Sequence, residues 1–180
     1  VSCCAVLYDR IGAGGAVAVA AGGLLSGRAW LMIAVALCLT AAGWGARLRH
    51  RPLLTGKRNM VLVAAGTLLW LYAVRQAVLH GVAPYVFQVL HHPCPWCLFL
   101  VEHDMMGVLL FGPPLLVLFE ITAILTASVL RDAYPALAEP ALARVRRAGS
   151  RLVVFMLFFT CAATAPVFNW WVRFGGWMDK

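Results

Sequence analysis

Charge is scarce in this chain. Only 12% of its 180 residues are charged and 63% are hydrophobic, for a mean hydropathy of +0.85. A soluble domain carries about 25% charged and about 45–50% apolar residues. The apolar residues also come in long blocks, so an ordinary water-soluble fold is excluded. No internal repeat and no low-complexity linker is present. No secretory leader is recognisable, because Val1 to Arg10 is not a charged segment followed by an apolar one. The sequence starts at Val1 rather than Met, and a few further N-terminal residues are an expectation. The formal net charge of +8 would suit nucleic acid or an acidic substrate if it were spread out. It is concentrated in two short stretches instead, which argues against nucleic acid.

What is present is a series of apolar runs. The reading is one all-α integral membrane domain over residues 1–180, a polytopic helical bundle of four or five spans. These are expected at about 11–26, 29–46, 59–79, 98–128 and 152–172. Residues 11–26 are uncharged and rich in glycine and alanine. At about 1.5 Å per residue they are near the lower limit for crossing the bilayer. Trp30 and Trp44 flank the second run, and Trp170, Trp171 and Trp177 gather at the end of the last, as interfacial aromatics do. Pro113 is expected to kink the fourth. Glu120 on that run is expected to be solvated or paired with a neighbouring helix.

Orientation follows from the basic residues. Arg47, Arg49, Arg51, Lys57 and Arg58 lie in loop 47–58, and Arg131, Arg144, Arg146, Arg147 and Arg151 in the stretch 131–151. Together they are ten of the fifteen Lys and Arg residues. The positive-inside rule puts both stretches in the cytoplasm. Residues 80–96, which contain no Lys or Arg, then face the other side. In the inner (cytoplasmic) membrane of a bacterium that side is the oxidising periplasm.

The chemistry-bearing stretch is His91-His92-Pro93-Cys94-Pro95-Trp96-Cys97-Leu98-Phe99. It holds two of six cysteines and two of five histidines. Cysteines three apart fall on one face of a helical turn, and Pro95 suits the first helical position. A helix N-terminus lowers a thiol pKa, so Cys94 and Cys97 are candidates for two-electron thiol chemistry. Trp96 and Phe99 would wall an apolar slot for a quinone ring. Arg75, near the outer end of the third run, and His103 would donate hydrogen bonds to it. Two other readings stay open. One is a structural disulfide or a pair of reduced thiols that stiffens a loop. The other is a copper or zinc site drawn from His91, His92, Cys94, Cys97 and His103, whose nitrogen and sulfur donors suit those metals.

Pro93-Cys94-Pro95-Trp96-Cys97-Leu98-Phe99 at the mouth of a membrane helix resembles the Pro-Cys-Pro-x-Cys-Ile/Leu-Phe stretch of the DsbB family. It is also similar to the Cys-Pro-x-Cys of the vitamin K epoxide reductases in the same superfamily. Gly107, expected about three turns into the same helix, matches a small residue those helices often carry. The resemblance implies a four-helix membrane thiol–disulfide oxidoreductase that passes electrons between periplasmic thiols and a membrane quinone. The Arg that those proteins carry shortly after the second cysteine is not found here, nor is a second outer Cys pair. Cys38 and Cys161 stand singly inside spans, and Cys3-Cys4 are adjacent. The missing thiols would come from a periplasmic partner or from other membrane subunits. A non-catalytic subunit of a larger electron-transfer complex is therefore the alternative function, and a metal-handling membrane protein the third.

The orientation is testable with single cysteines introduced into a cysteine-less background. A membrane-impermeant maleimide added to intact cells is expected to label positions in 80–96 and to spare 47–58 and 131–151. Labelling of 47–58 with 80–96 protected would exclude periplasmic chemistry.

Overall fold

The computed structural model describes residues 25–50, 57–88 and 94–177. Residues 11–24 of the expected span 11–26, and His91 and His92, lie outside the described residues. The fold is an all-α transmembrane bundle with no strand among the described residues. Among the described residues four helical stretches are long and apolar enough to cross a membrane: Gly27–His50, Arg58–Phe87, Met106–Ala133 and Pro135–Phe174.

Helix α1 spans Gly27–His50. Its start is set by Ser26, whose Oγ accepts from the Ala29 amide at 3.3 Å and whose carbonyl accepts from Trp30 at 3.1 Å. That is the usual service of a serine N-cap. Arg47, Arg49 and His50 occupy its last turn, where cations oppose the negative end of the helix dipole. Helix α2 spans Lys57–Gln76 and runs on through a π-helical turn, Ala77–Val82, into the short helix α3, Ala83–Phe87. Pro84 has no amide hydrogen to give to the His80 carbonyl. The wider π turn sits where that bond would be missing. The α3 helix ends at Gln88, in a left-handed conformation with φ 56°.

Helix α4 spans Met106–Ala133 and continues through Pro113 and Pro114. It starts later than the run expected from residue 98. Between Trp96 and His103 the chain makes two 3-10 turns separated by an extended Leu100. Helix α5 spans Ala138–Phe174, thirty-seven residues, or about 55 Å. Most of the basic stretch 131–151, whose charge and prolines suggest a polar loop, is therefore the first turns of α5. The cause is visible in the residues. Alanine, leucine, glutamate and arginine favour helix, and Ala141, Val145, Ala148 and Leu152 form a buried stripe at helical spacing.

The chain packs as two compact units. The first holds residues up to Ala34, Ala73–Leu110 and Ala162 onward. Its buried side chains include Val78, Val82, Leu98 and Leu110. Gly27 and Gly81 let two backbones meet there: a Cβ on Gly81 would stand 2.6 Å from the Gly27 carbonyl oxygen, and one on Gly27 would collide with the His80 carbonyl. The second unit holds Val35–Tyr72 and Phe111–Cys161. Val117, Ile124, Leu152, Met156 and Phe159 are buried in it. The Trp70 indole N–H donates to Cys38 Sγ at 3.3 Å. Gly45 and Gly149 face each other; a Cβ on Gly149 would lie 2.7 Å from the Gly45 carbonyl oxygen. Small residues at such crossings are how membrane helices gain close packing without a hydrophobic driving force. Leu68, Val61 and Phe119 remain well exposed, as lipid-facing side chains do.

The crossing predicts a contrast. Gly149→Ala forces backbone apart and is expected to cost about 1–3 kcal/mol. A Cβ on Gly43 meets nothing within 4 Å. Gly43→Ala is therefore expected to be neutral or to stabilise by up to about 1 kcal/mol. Unfolding by SDS titration in mixed micelles measures both.

Candidate thiol site and adjoining cavity

Cys94 and Cys97 sit in the first unit, on the segment that precedes α4. Pro95 already has helical angles (φ −66°, ψ −29°), and Trp96–Phe99 forms one 3-10 turn. Cys97 lies in that turn and Cys94 two residues before it, and both are buried, Cys94 at 5% and Cys97 at 4% exposure. Trp96 is 77% exposed and Phe99 38%. The helical turn expected to carry both thiols is a short 3-10 turn that begins at Trp96, after Cys94. The dipole of α4 starts only at Met106.

The segment is tied together by its own amides. The Leu100 amide donates to the Cys97 carbonyl at 3.2 Å, and the Leu100 carbonyl accepts from His103 at 3.1 Å and Met105 at 3.2 Å. Asp104 and Met105 are both left-handed, with φ 52° and 49°. This double reversal turns the chain into α4. Gly107 is the second residue of α4, not three turns along it. A Cβ there would lie 2.7–2.9 Å from the Phe99 ring, so glycine lets that ring lie against the helix.

The far end of the same segment borders a cavity of about 490 Å3. Glu102, His103 and Asp104 form one wall, Tyr85 and Gln88 a second, and Asn169, Trp170 and Arg173 of α5 a third. The half-buried His103 ring packs edge-on against Phe87, centroids 4.7 Å apart. Trp170 packs edge-on against Tyr85 at 6.2 Å and lies against Phe174 at 4.1 Å. The cavity thus combines aromatic walls with donors and charges of both signs. It lies wholly within the first unit.

Of the residues expected to surround a quinone, His103 lines this cavity, and Arg75, Trp96 and Phe99 do not. Arg75 is exposed in the last turn of α2. Asn169 and Arg173 are not among the residues expected from sequence. The signal for them is a polar pair four apart at the end of an apolar run, beside Trp170 and Phe174 at the same spacing. Among the described residues no group of three or more His, Cys, Asp or Glu side chains is placed to hold a metal.

Glu120, in the second unit, is 6% exposed and paired with α5. Arg151 Nη1 donates to its Oε1 at 3.2 Å. Arg144 Nη2 stands 3.1 Å from Oε2, a charge contact without hydrogen-bond alignment. This is the helix-paired role expected for that carboxylate.

No protein-family model, curated protein or solved structure matches the chain.

Gly107→Ala is expected to displace the Phe99 ring at a cost of about 1–3 kcal/mol. The thiol-bearing turn moves with that ring. Alkylation of Cys97 in detergent-solubilised protein should therefore become faster than in the native chain, while alkylation of Cys161 stays the same.

Proposed function

We propose that the chain is a membrane thiol–disulfide oxidoreductase that exchanges electrons between the Cys94–Cys97 pair and a membrane quinone, with the pair on the periplasmic side of a bacterial inner membrane. The observation that carries the reading is the pair itself. Two cysteines three residues apart are both buried, one in a 3-10 turn and one just before it, at a break before a membrane helix. The resemblance of Pro93-Cys94-Pro95-Trp96-Cys97 to the DsbB and vitamin K epoxide reductase superfamily supports it as well.

The thiol chemistry balances in both directions. A reduced pair loses two protons and two electrons as the Cys94–Cys97 bond forms. An oxidised pair is opened by a thiolate of a partner protein, which forms a mixed disulfide with one cysteine and releases the other as thiolate. A second partner thiol then resolves the mixed disulfide. Because no second outer pair is recognisable in this chain, the partner or another subunit brings those thiols.

A bound quinone supplies an acceptor for two electrons and two protons. The cavity beside the segment fits such a group. Its volume of about 490 Å3 falls within the roughly 300–1,000 Å3 of small-molecule sites. Trp170 offers an aromatic wall, and His103, Asn169 and Arg173 offer donors. The thiols and one cavity wall lie on the same segment, residues 94–104, which supports the reading.

Cys94→Ser is expected to trap mixed disulfides through Cys97, visible as reducible adducts on non-reducing gels. Losing a charged hydrogen bond costs about 1.5–3 kcal/mol. Arg173→Leu is therefore expected to weaken quinone binding roughly ten- to a hundredfold, and Arg75→Leu to do so only if the ring docks outside the cavity. Titration with a soluble quinone analogue measures both. Adduct formation and quinone affinity both unchanged in these variants would refute the reading.

A further inference from the structure

We infer that the second unit holds one anionic phospholipid, its phosphate on Arg47 and Arg58 and an acyl chain in the groove beneath them. The inference is independent of the thiol reading.

The charge imbalance comes first. Residues 35–72 and 111–161 contain ten Lys and Arg against three carboxylates, Glu120, Asp132 and Glu139. Two of the three carboxylates are already engaged, Glu120 by Arg144 and Arg151, and Asp132 by Arg131 at 2.8 Å. Arg47, Arg49, Arg58, Arg146 and Arg147 are exposed. The Gly45–Gly149 contact fixes where they meet, since a Cβ on Gly149 would also lie 3.5 Å from the Arg49 amide nitrogen. The end of α1 and the basic turns of α5 are thus held together at one end of the unit. Each Lys or Arg near a membrane surface attracts anionic lipid by about 1 kcal/mol.

The second observation is an apolar groove of about 330 Å3 in the same unit. Trp44, Leu62 and Leu152 line it toward the basic end, and Leu37, Trp70 and Met156 line it deeper. Two cations that pair with no carboxylate among the described residues adjoin the basic end, Arg47 and Arg58. Arg47 is three residues from Trp44 and Arg58 four from Leu62. On a helix, spacings of three and four are neighbours on one face. From Leu62 to Trp70 the groove follows α2 for about 12 Å.

The polar groups in its wall are turned away from an occupant. The Thr40 hydroxyl donates to the Leu37 carbonyl at 2.9 Å, the Thr67 hydroxyl to Val63 at 2.7 Å, and the Trp70 indole to Cys38. A wall with those bonds spent suits hydrocarbon, not a polar ligand. Hydrocarbon below and two arginines at the end together specify a lipid with an acyl chain and an anionic head.

The test uses the full chain extracted in a zwitterionic detergent from membranes that contain phosphatidylethanolamine and phosphatidylglycerol. Retained phospholipid is identified by mass spectrometry. Phosphatidylglycerol is expected to be enriched over its share of the membrane, and Arg47→Gln/Arg58→Gln to lower that enrichment roughly tenfold. Gly66 lines the groove and a Cβ there meets nothing within 4 Å. Gly66→Leu therefore fills the groove from an open position, and is expected to lower retention while thermal unfolding stays native-like. Retained lipid that mirrors the membrane composition would overturn the inference, as would enrichment unchanged in either variant. Enrichment lost in Arg146→Gln/Arg147→Gln but kept in Arg47→Gln/Arg58→Gln would overturn the placement. Unaltered thiol reactivity of Cys94 and Cys97 in the same samples separates this outcome from the thiol reading.

Discussion

A backbone amide in hydrocarbon has no water to bond, so each must find its partner within the chain. In a sequence that is 63% hydrophobic this requirement governs almost every residue. It makes the long helices obligatory, and it makes departures from them informative. Two departures are present in the first unit: the π turn Ala77–Val82, and the double 3-10 segment before α4. The π turn has a local cause in Pro84. The segment has none as simple, yet it holds the two closely spaced buried cysteines and one wall of the polar cavity.

Charge follows the same logic from the opposite side. A buried carboxylate persists in an apolar bundle when it is paired. Glu120 meets Arg144 and Arg151, one helical face of α5 reaching across to α4. Removing one partner of a buried pair costs more than the pair contributes, because the remaining charge stays desolvated. Glu120 therefore pins the α4–α5 register within the second unit. Gly45 and Gly149 do the same for α1 and α5 by steric means.

The apolar runs are legible in the sequence because hydropathy sums over many residues. The runs 29–46 and 59–79 lie within Gly27–His50 and Arg58–Phe87. The start of α4 is not legible. Cys97 to Val101 reads as apolar, and composition cannot separate a helix from a 3-10 turn followed by an extended residue. The first turns of α5 escape for another reason. Arginines suggest a loop because charge reports exposure to water, whereas helix formation there depends on the stripe Ala141, Val145, Ala148 and Leu152. In the site, the close spacing of Cys94 and Cys97 is legible in the sequence, and their burial is not. The meeting of His103 with Asn169 and Arg173 is not, since it joins residues far apart in sequence and only tertiary packing creates it.

The two left-handed residues at the entrance to α4 connect these points. Asp tolerates that region because its short polar side chain can bond locally; a methionine there is uncommon. Residues held in sparsely populated conformations cost about 1–3 kcal/mol each and persist where surrounding contacts over-determine them. Here the contacts are identifiable. The Met105 amide returns to the Leu100 carbonyl, and the Phe99 ring lies against Gly107. An uninterrupted helix from Cys97 would carry Phe99 and Gly107 about 12 Å apart along its axis. It would then lose their contact and the reversal that brings His103 against Phe87. The strain at Asp104 and Met105 is thus the cost of folding the thiol-bearing turn back onto the first turn of α4. An apolar run alone would not have required it.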